Sequence, residues 1–194
     1  IGAPGQFYMG TMGSLLVALS IPSKNGAEAF FIWFFAIIVG MCFGAMWGSI
    51  PGIFKALFGV NEVIVCIMTN WISANIVTWV FTSTPNLKNI SMGKSDYLIT
   101  TAVTGNGTPK IGLDKLFKGS YIDLGIILAI LVAIVLLIIL NKTTFGYELK
   151  ACGANKHAAK YAGMNEKRNI ILSMAIAGTL AALGGALYLS LIHI

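Results

Sequence analysis

Residues 124–140 are seventeen consecutive positions without a charge, and Gly125 is the only small breaker among them. That length approaches the roughly 20 apolar residues with which an α-helix crosses a bilayer. The run has no polar face to turn toward water, so it predicts a lipid-facing or peripheral helix. With its flank it gives a span over about 122–140, and four further apolar runs stand at about 5–21, 29–50, 62–82 and 170–192. Only 10% of the 194 residues are charged and 57% are hydrophobic, whereas a soluble domain carries about a quarter charged residues. The expected fold class is therefore an all-α integral membrane protein, a polytopic transmembrane helix bundle of about five spans. The chain opens on Ile rather than Met and stays apolar to its last residue, so 1–194 reads as a fragment of one transmembrane domain.

The spans differ in how they expect to be packed. Gly40, Gly44, Gly48 and Gly52 recur at strict four-residue spacing on the second, and small residues in register let another helix approach closely in lipid. The last span carries a second small-residue surface through Ala175, Ala177, Gly178, Ala181, Ala182, Gly184, Gly185 and Ala186. Pro51-Gly52 is expected to end the second helix. The third span is the most polar, with Thr69, Asn70, Ser73, Asn75 and Thr78. Bare amides in hydrocarbon are costly, so Asn70 and Asn75 are expected to face other helices or a wet cavity. Interhelical packing and the lining of a solute pathway both account for them.

The polar connections carry the charge. Residues 141–169 hold six of the thirteen Lys and Arg, the longer 83–121 loop holds five, and the connectors at 22–28 and 51–61 hold one each. The preference for basic cytoplasmic loops places 141–169 inside and 83–121 outside. The net charge of +6 is thus topological and does not point to nucleic acid. Within 141–169, Asn155 is suited to cap a helix and Gly163 to end it about two turns later. Ala158, Ala159 and Ala162 share a face of that helix, with Lys156 and Lys160 on another. Two turns are marginal in water, so such a helix either docks on something or is a solvated connection.

Several chemistries are excluded. Gly93-Lys94-Ser95 resembles the end of a phosphate loop, but Lys88 stands where the motif needs its first glycine. No nucleophile–base set, metal cluster or disulfide spacing can be assembled from the two His, three Cys and seven acids. No acid lies deep in an apolar run, which argues against a proton- or ion-coupled carrier. No cofactor and no enzymatic activity are expected of this chain.

The run Gly146-Tyr147-Glu148-Leu149-Lys150-Ala151, continued by Gly153, Asn155, Ala158-Ala159 and Tyr161-Ala162-Gly163-Met164-Asn165, resembles the cytoplasmic loop of bacterial ATP-binding-cassette importer permeases. The similarity is to the family serving simple sugars, nucleosides and branched-chain amino acids. Gly2-Ala3-Pro4-Gly5-Gln6 is similar to the family's early Gly-Ala-Glu-Gly-Gln, with Pro4 in place of the acid. Trp47-Gly48, Ile50-Pro51-Gly52, Lys55-Ala56 and Gly59-Val60-Asn61-Glu62-Val63-Ile64 most resemble the nucleoside (guanosine-type) branch. Lys150 stands where the family usually has Arg, which loses the bidentate fork, and Cys66 replaces a common Thr. The end, 189–194, does not resemble the family's continuation.

The resemblance implies a permease subunit of an importer of nucleosides or simple sugars in the bacterial plasma (inner) membrane, multi-pass and surrounded by lipid. Its implied partners are cytoplasmic ATPase subunits that bind the ATP, a second permease subunit and an extracytoplasmic solute-binding lipoprotein meeting 83–121. It implies coupling to the ATPase through Glu148, Lys150, Gly153, Asn155, Ala158, Ala159 and Gly163. Gln6, Asn70 and Asn75 are candidates to hydrogen-bond substrate along the pathway, with Trp71 as a stacking surface or a packing residue. A stand-alone channel or ion-coupled secondary transporter is the alternative reading.

Overall fold

A computed structural model describes residues 2–21, 26–83 and 124–192. The external loop expected at 83–121 lies outside the described residues from 84 onward. So do the turn at 22–25, the rejected Gly93-Lys94-Ser95 and the last two residues. Every described element is a helix: α1 (Ala3–Ser20), α2 (Gly26–Phe58), α3 (Glu62–Ser83), α4 (Leu124–Lys142), α5 (Thr144–Ala154), α6 (Lys156–Tyr161) and α7 (Glu166–Ile192). Among the described residues four segments are long and apolar enough to cross a membrane: Glu28–Phe58, Glu62–Val80, Gly125–Lys142 and Glu166–Tyr188.

The fifth apolar run, α1, is not among these four. It is the helix least in need of an apolar coat, because its middle is enclosed by other helices. Gln6, Met9, Thr11, Met12, Ser14 and Leu15 are all buried. At the other extreme, no part of the most apolar window, in α4, is buried. It stands at the periphery as its sequence requires, touching the bundle through Leu128 and Val132 at the Trp33, Ile37, Leu183 and Ala186 cluster.

The small residues bring α1, α2 and α7 to backbone contact. A Cβ added at Gly40 would lie 2.9 Å from the Gly10 carbonyl of α1. At Gly44 it would lie 2.5 Å from the Gly178 carbonyl, at Gly48 2.7 Å from that of Met174, and at Gly52 3.1 Å from the Ile171 Cα. The four-residue ladder is therefore the seam between α2 and α7, with its first rung turned to α1. The small face of α7 answers it with Gly178 and Ala182, and meets α1 at Gly10 and Gly185. Gly184 points to open space and takes no part.

Pro51 does not end α2, contrary to the sequence expectation; the helix continues for two more turns to Phe58. Proline removes one amide donor and crowds the preceding turn. Here the segment beyond it stays on the bundle because Gly52 abuts Ile171 and Met174 while Ala56 is buried. The helix stops instead at Gly59, whose φ of +65° belongs to the left-handed region and whose amide donates to the Lys55 carbonyl at 3.1 Å. Asn61 Oδ1 then accepts from Val63 N at 3.0 Å and starts α3.

Candidate functional site

The polar end of the molecule is a compact hairpin of two helices where the sequence suggested one. Its tight entry depends on Gly146, since a Cβ there would lie 2.5 Å from both the Ile139 and Leu140 carbonyls. Thr143 Oγ1 accepts from Gly146 N at 3.2 Å, so α5 is capped one residue after α4 ends. Lys150 on α5 reaches back to α4, its Nζ donating to Asn141 Oδ1 at 2.7 Å. That bond needs a point donor and no bidentate fork, which suits a lysine.

Asn155 divides the hairpin. Its side-chain Oδ1 accepts from His157 N at 3.0 Å and Ala158 N at 3.2 Å, capping the six-residue α6. Gly163 closes it at φ +80°, with Gly163 N donating to the Lys160 carbonyl and Met164 N to the Ala159 carbonyl. These are the two bonds of a Schellman motif, which satisfies carbonyls that a helix this short would otherwise leave bare. Both boundary residues read from the sequence thus bound the helix. The three alanines do not act alike, however. Ala159 is buried at 4% exposure, whereas Ala158 and Ala162 are exposed beside Tyr161, which is 94% exposed. Positions 158, 161 and 162 fall on one side of a 3.6-residue helix, and 159 is rotated toward the chain's own interior. Gly153 is exposed with nothing near its Cα face.

Behind the hairpin lies a residue the sequence reading did not single out. Asn169, on the first turns of α7, is only 2% exposed. Its Nδ2 donates to Glu148 Oε2 at 3.2 Å and approaches Cys152 Sγ at 3.4 Å. No local pattern marks it: the partners are 21 and 17 positions away, and a lone amide at the start of an apolar run reads as a boundary residue. A cleft of about 460 Å³ opens beside this contact between Tyr147, Glu148, Gly163 and Arg168. A second, of about 520 Å³, lies between the Lys55–Glu62 ion pair and Glu166-Lys167. The α2–α3 turn and the base of α7 are therefore at the same end of the bundle.

The four residues read as pathway candidates separate into two groups. Gln6 is buried, with its Nε2 beside Gly48. Asn70 Oδ1 accepts from Gly5 N at 2.9 Å. The first turn of α1 has no side-chain cap of its own, so α3 supplies one from across the bundle. Ser73, fully buried, closes the same contact, since a Cβ at Gly5 would lie 2.9 Å from its Oγ. Trp71 and Asn75 are elsewhere. Trp71 is 70% exposed on the outer side of α3, and Asn75 Nδ2 donates to the Trp71 carbonyl at 2.8 Å within its own helix. Among the described residues no group of His, Cys, Asp and Glu is placed to hold a metal ion.

The family model described as the branched-chain amino acid transport system / permease component matches residues 1–194. The chain belongs to this permease family. Permease components of this kind are transport subunits and not enzymes. The nucleoside ABC transporter permease protein NupB of Lactococcus lactis is 39% identical over 189 residues, 97% of this chain and 50% of that protein. The guanosine ABC transporter permease protein NupP of Bacillus subtilis is 36% identical over 187 residues, 94% of this chain and 52% of that protein. The glucose ABC transporter permease protein TsgB13 of Haloferax volcanii is 24% identical over 192 residues, 95% and 48% of the two chains. The permease chain spans about half the length of these curated relatives. No solved structure matches it significantly.

Proposed function

We propose that this permease chain forms part of the membrane pathway of an ATP-driven importer of nucleosides, with simple sugars as the wider substrate class. ATP is bound by separate cytoplasmic subunits, which receive α6 through the exposed face of Ala158, Tyr161 and Ala162. A second permease subunit and an extracytoplasmic solute-binding lipoprotein complete the assembly in a bacterial inner membrane. The observation that carries this reading is α6 itself. A six-residue helix capped at both ends by Asn155 and Gly163 is built to be rigid while turning its most exposed side chain outward. The names of NupB and NupP, similar over nearly the whole of this chain, support the substrate class.

Transport then proceeds by rigid-body alternating access. Closure of the ATPase pair displaces α6, and α5 and α7 carry that displacement to the close-packed seam of α2 and α7. Glycine-to-backbone contact favours such transmission, because close-packed interfaces shift between discrete arrangements. Asn70 acts by holding the first turn of α1 in place, while Trp71 and Asn75 lie exposed to solute or a second subunit. The test is the pair Tyr161→Ala and Lys160→Glu in the assembled full-length transporter. Substrate-stimulated ATP hydrolysis should collapse while membrane insertion survives, and unchanged stimulation would sink the proposal.

A further inference from the structure

The hairpin meets α7 through the turn after α6 and, across the chain, through the side chain of Asn169. Glu148 and Cys152 are four residues apart on α5 and so lie on one face of it, and the Asn169 amide stands against both. An amide so deeply buried must find partners or lose stability. Its donation to a carboxylate is of the stronger, charge-assisted kind. Within about one turn along α7, Ile171 and Met174 are the residues that abut Gly52 and Gly48 of α2. Asn169 therefore stands where the hairpin side and the bundle side of α7 come nearest each other.

We infer that the Asn169 amide is a latch that makes the α5–α6 hairpin and α7 a single lever, so that displacement of α6 reaches the α2–α7 seam undiminished. Asn169 is a positioning residue: it touches neither substrate nor ATPase and acts through Glu148. The inference rests on the proposed importer function for what the lever transmits, while the latch itself is a property of this chain. Without it, α5 could swing about the Gly146 turn while α7 stayed with α2, and movement of α6 would be absorbed in the hairpin.

The experiment uses the full-length transporter assembled with its ATPase in liposomes, with guanosine as the probe. Asn169→Asp keeps the shape and replaces the donor by a carboxylate facing Glu148. Adding Glu148→Gln returns an amide opposite a carboxylate with the polarity reversed. Two quantities are read: guanosine taken up per ATP hydrolysed, and the rate at which a charged maleimide labels Cys152 in a background with the exposed Cys42 replaced by Ala.

Asn169→Asp should lower uptake per ATP by about tenfold, within the usual range of coupling between two sites, and speed Cys152 labelling several-fold. The double swap should bring both back toward the wild type. Wild-type coupling in Asn169→Asp would overturn the latch, as would a double swap that inserts and remains uncoupled. Should Asn169→Asp fail to insert, the double swap decides alone, by the same two readings. Absence of ATP-dependent uptake in the wild type would instead overturn the importer reading and the transmitted motion with it. Cys152 labelling unchanged by Asn169→Asp would remove the contact itself.

Discussion

Gly48 and Gly184 lie on facing small-residue helices, and a methyl group added to each meets opposite surroundings. At Gly48 it would press on the Met174 carbonyl from 2.7 Å, and at Gly184 it meets nothing within 4 Å. Gly48→Ala should therefore destabilise the folded protein by about 1–3 kcal/mol, the ordinary penalty of overpacking. Gly184→Ala should be neutral, and the two can be compared by thermal unfolding in detergent. The amides of α3 offer a second contrast. Asn70→Leu leaves the amide of the buried Gly5 in α1 without its acceptor and should cost about 1–3 kcal/mol, the penalty of an unsatisfied buried donor. Asn75→Leu loses only a bond to its own helix and should unfold close to the wild-type temperature. Equal effects from the two leucines would remove the cap from the account of α1.

At the scale of the element, α6 is held by its ends and not by its length. Helices of two turns do not pay back their nucleation in water; here Asn155 supplies acceptors to two amides and Gly163 lets the chain reverse. Asn155→Ala should cost about 1 kcal/mol of local stability, as loss of a cap does. Gly163→Ala forces a left-handed conformation on a residue with a Cβ, at about 1–2 kcal/mol. Hydrogen exchange should show faster opening of the amides at 157–162 in either variant, with those of α7 unaffected. α2 illustrates the reverse case. Its sequence contains a proline stop signal, yet packing against α7 carries it past Pro51 to a glycine stop at Gly59.

At the scale of the molecule, α1, α2 and α7 form a close-packed centre, α3 closes over the first turn of α1, and α4 stands outermost. A nitroxide label at Leu137 of α4, 62% exposed, should accordingly collide freely with oxygen dissolved in lipid. A label on the buried Leu183 of α7 should not, and equal accessibility would contradict the peripheral position of α4. Hydropathy and the caps of α6 were legible in the sequence because each depends on residues within a turn or two. So was the existence of two small-residue faces. Nothing local, by contrast, says which face meets which: the ladder of α2 meets a helix far along the chain, and only the folded chain pairs Gly44 with Gly178, 134 positions on (178 − 44). The same holds for the site. Asn155 and Gly163 were visible because caps are local signals, whereas Asn169 was not, because its meaning lies in Glu148 and Cys152 on another helix. The division of the alanines also awaited the fold, since only the packing against the rest of the chain decides which side of a two-turn helix is inward. The sequence by itself determined a membrane-spanning helical bundle with one short, capped helix in a basic connection. The tertiary structure decided how far α2 runs, that Asn70 serves α1, and that the hairpin is tied to α7, because each of these is a contact between residues far apart in the chain.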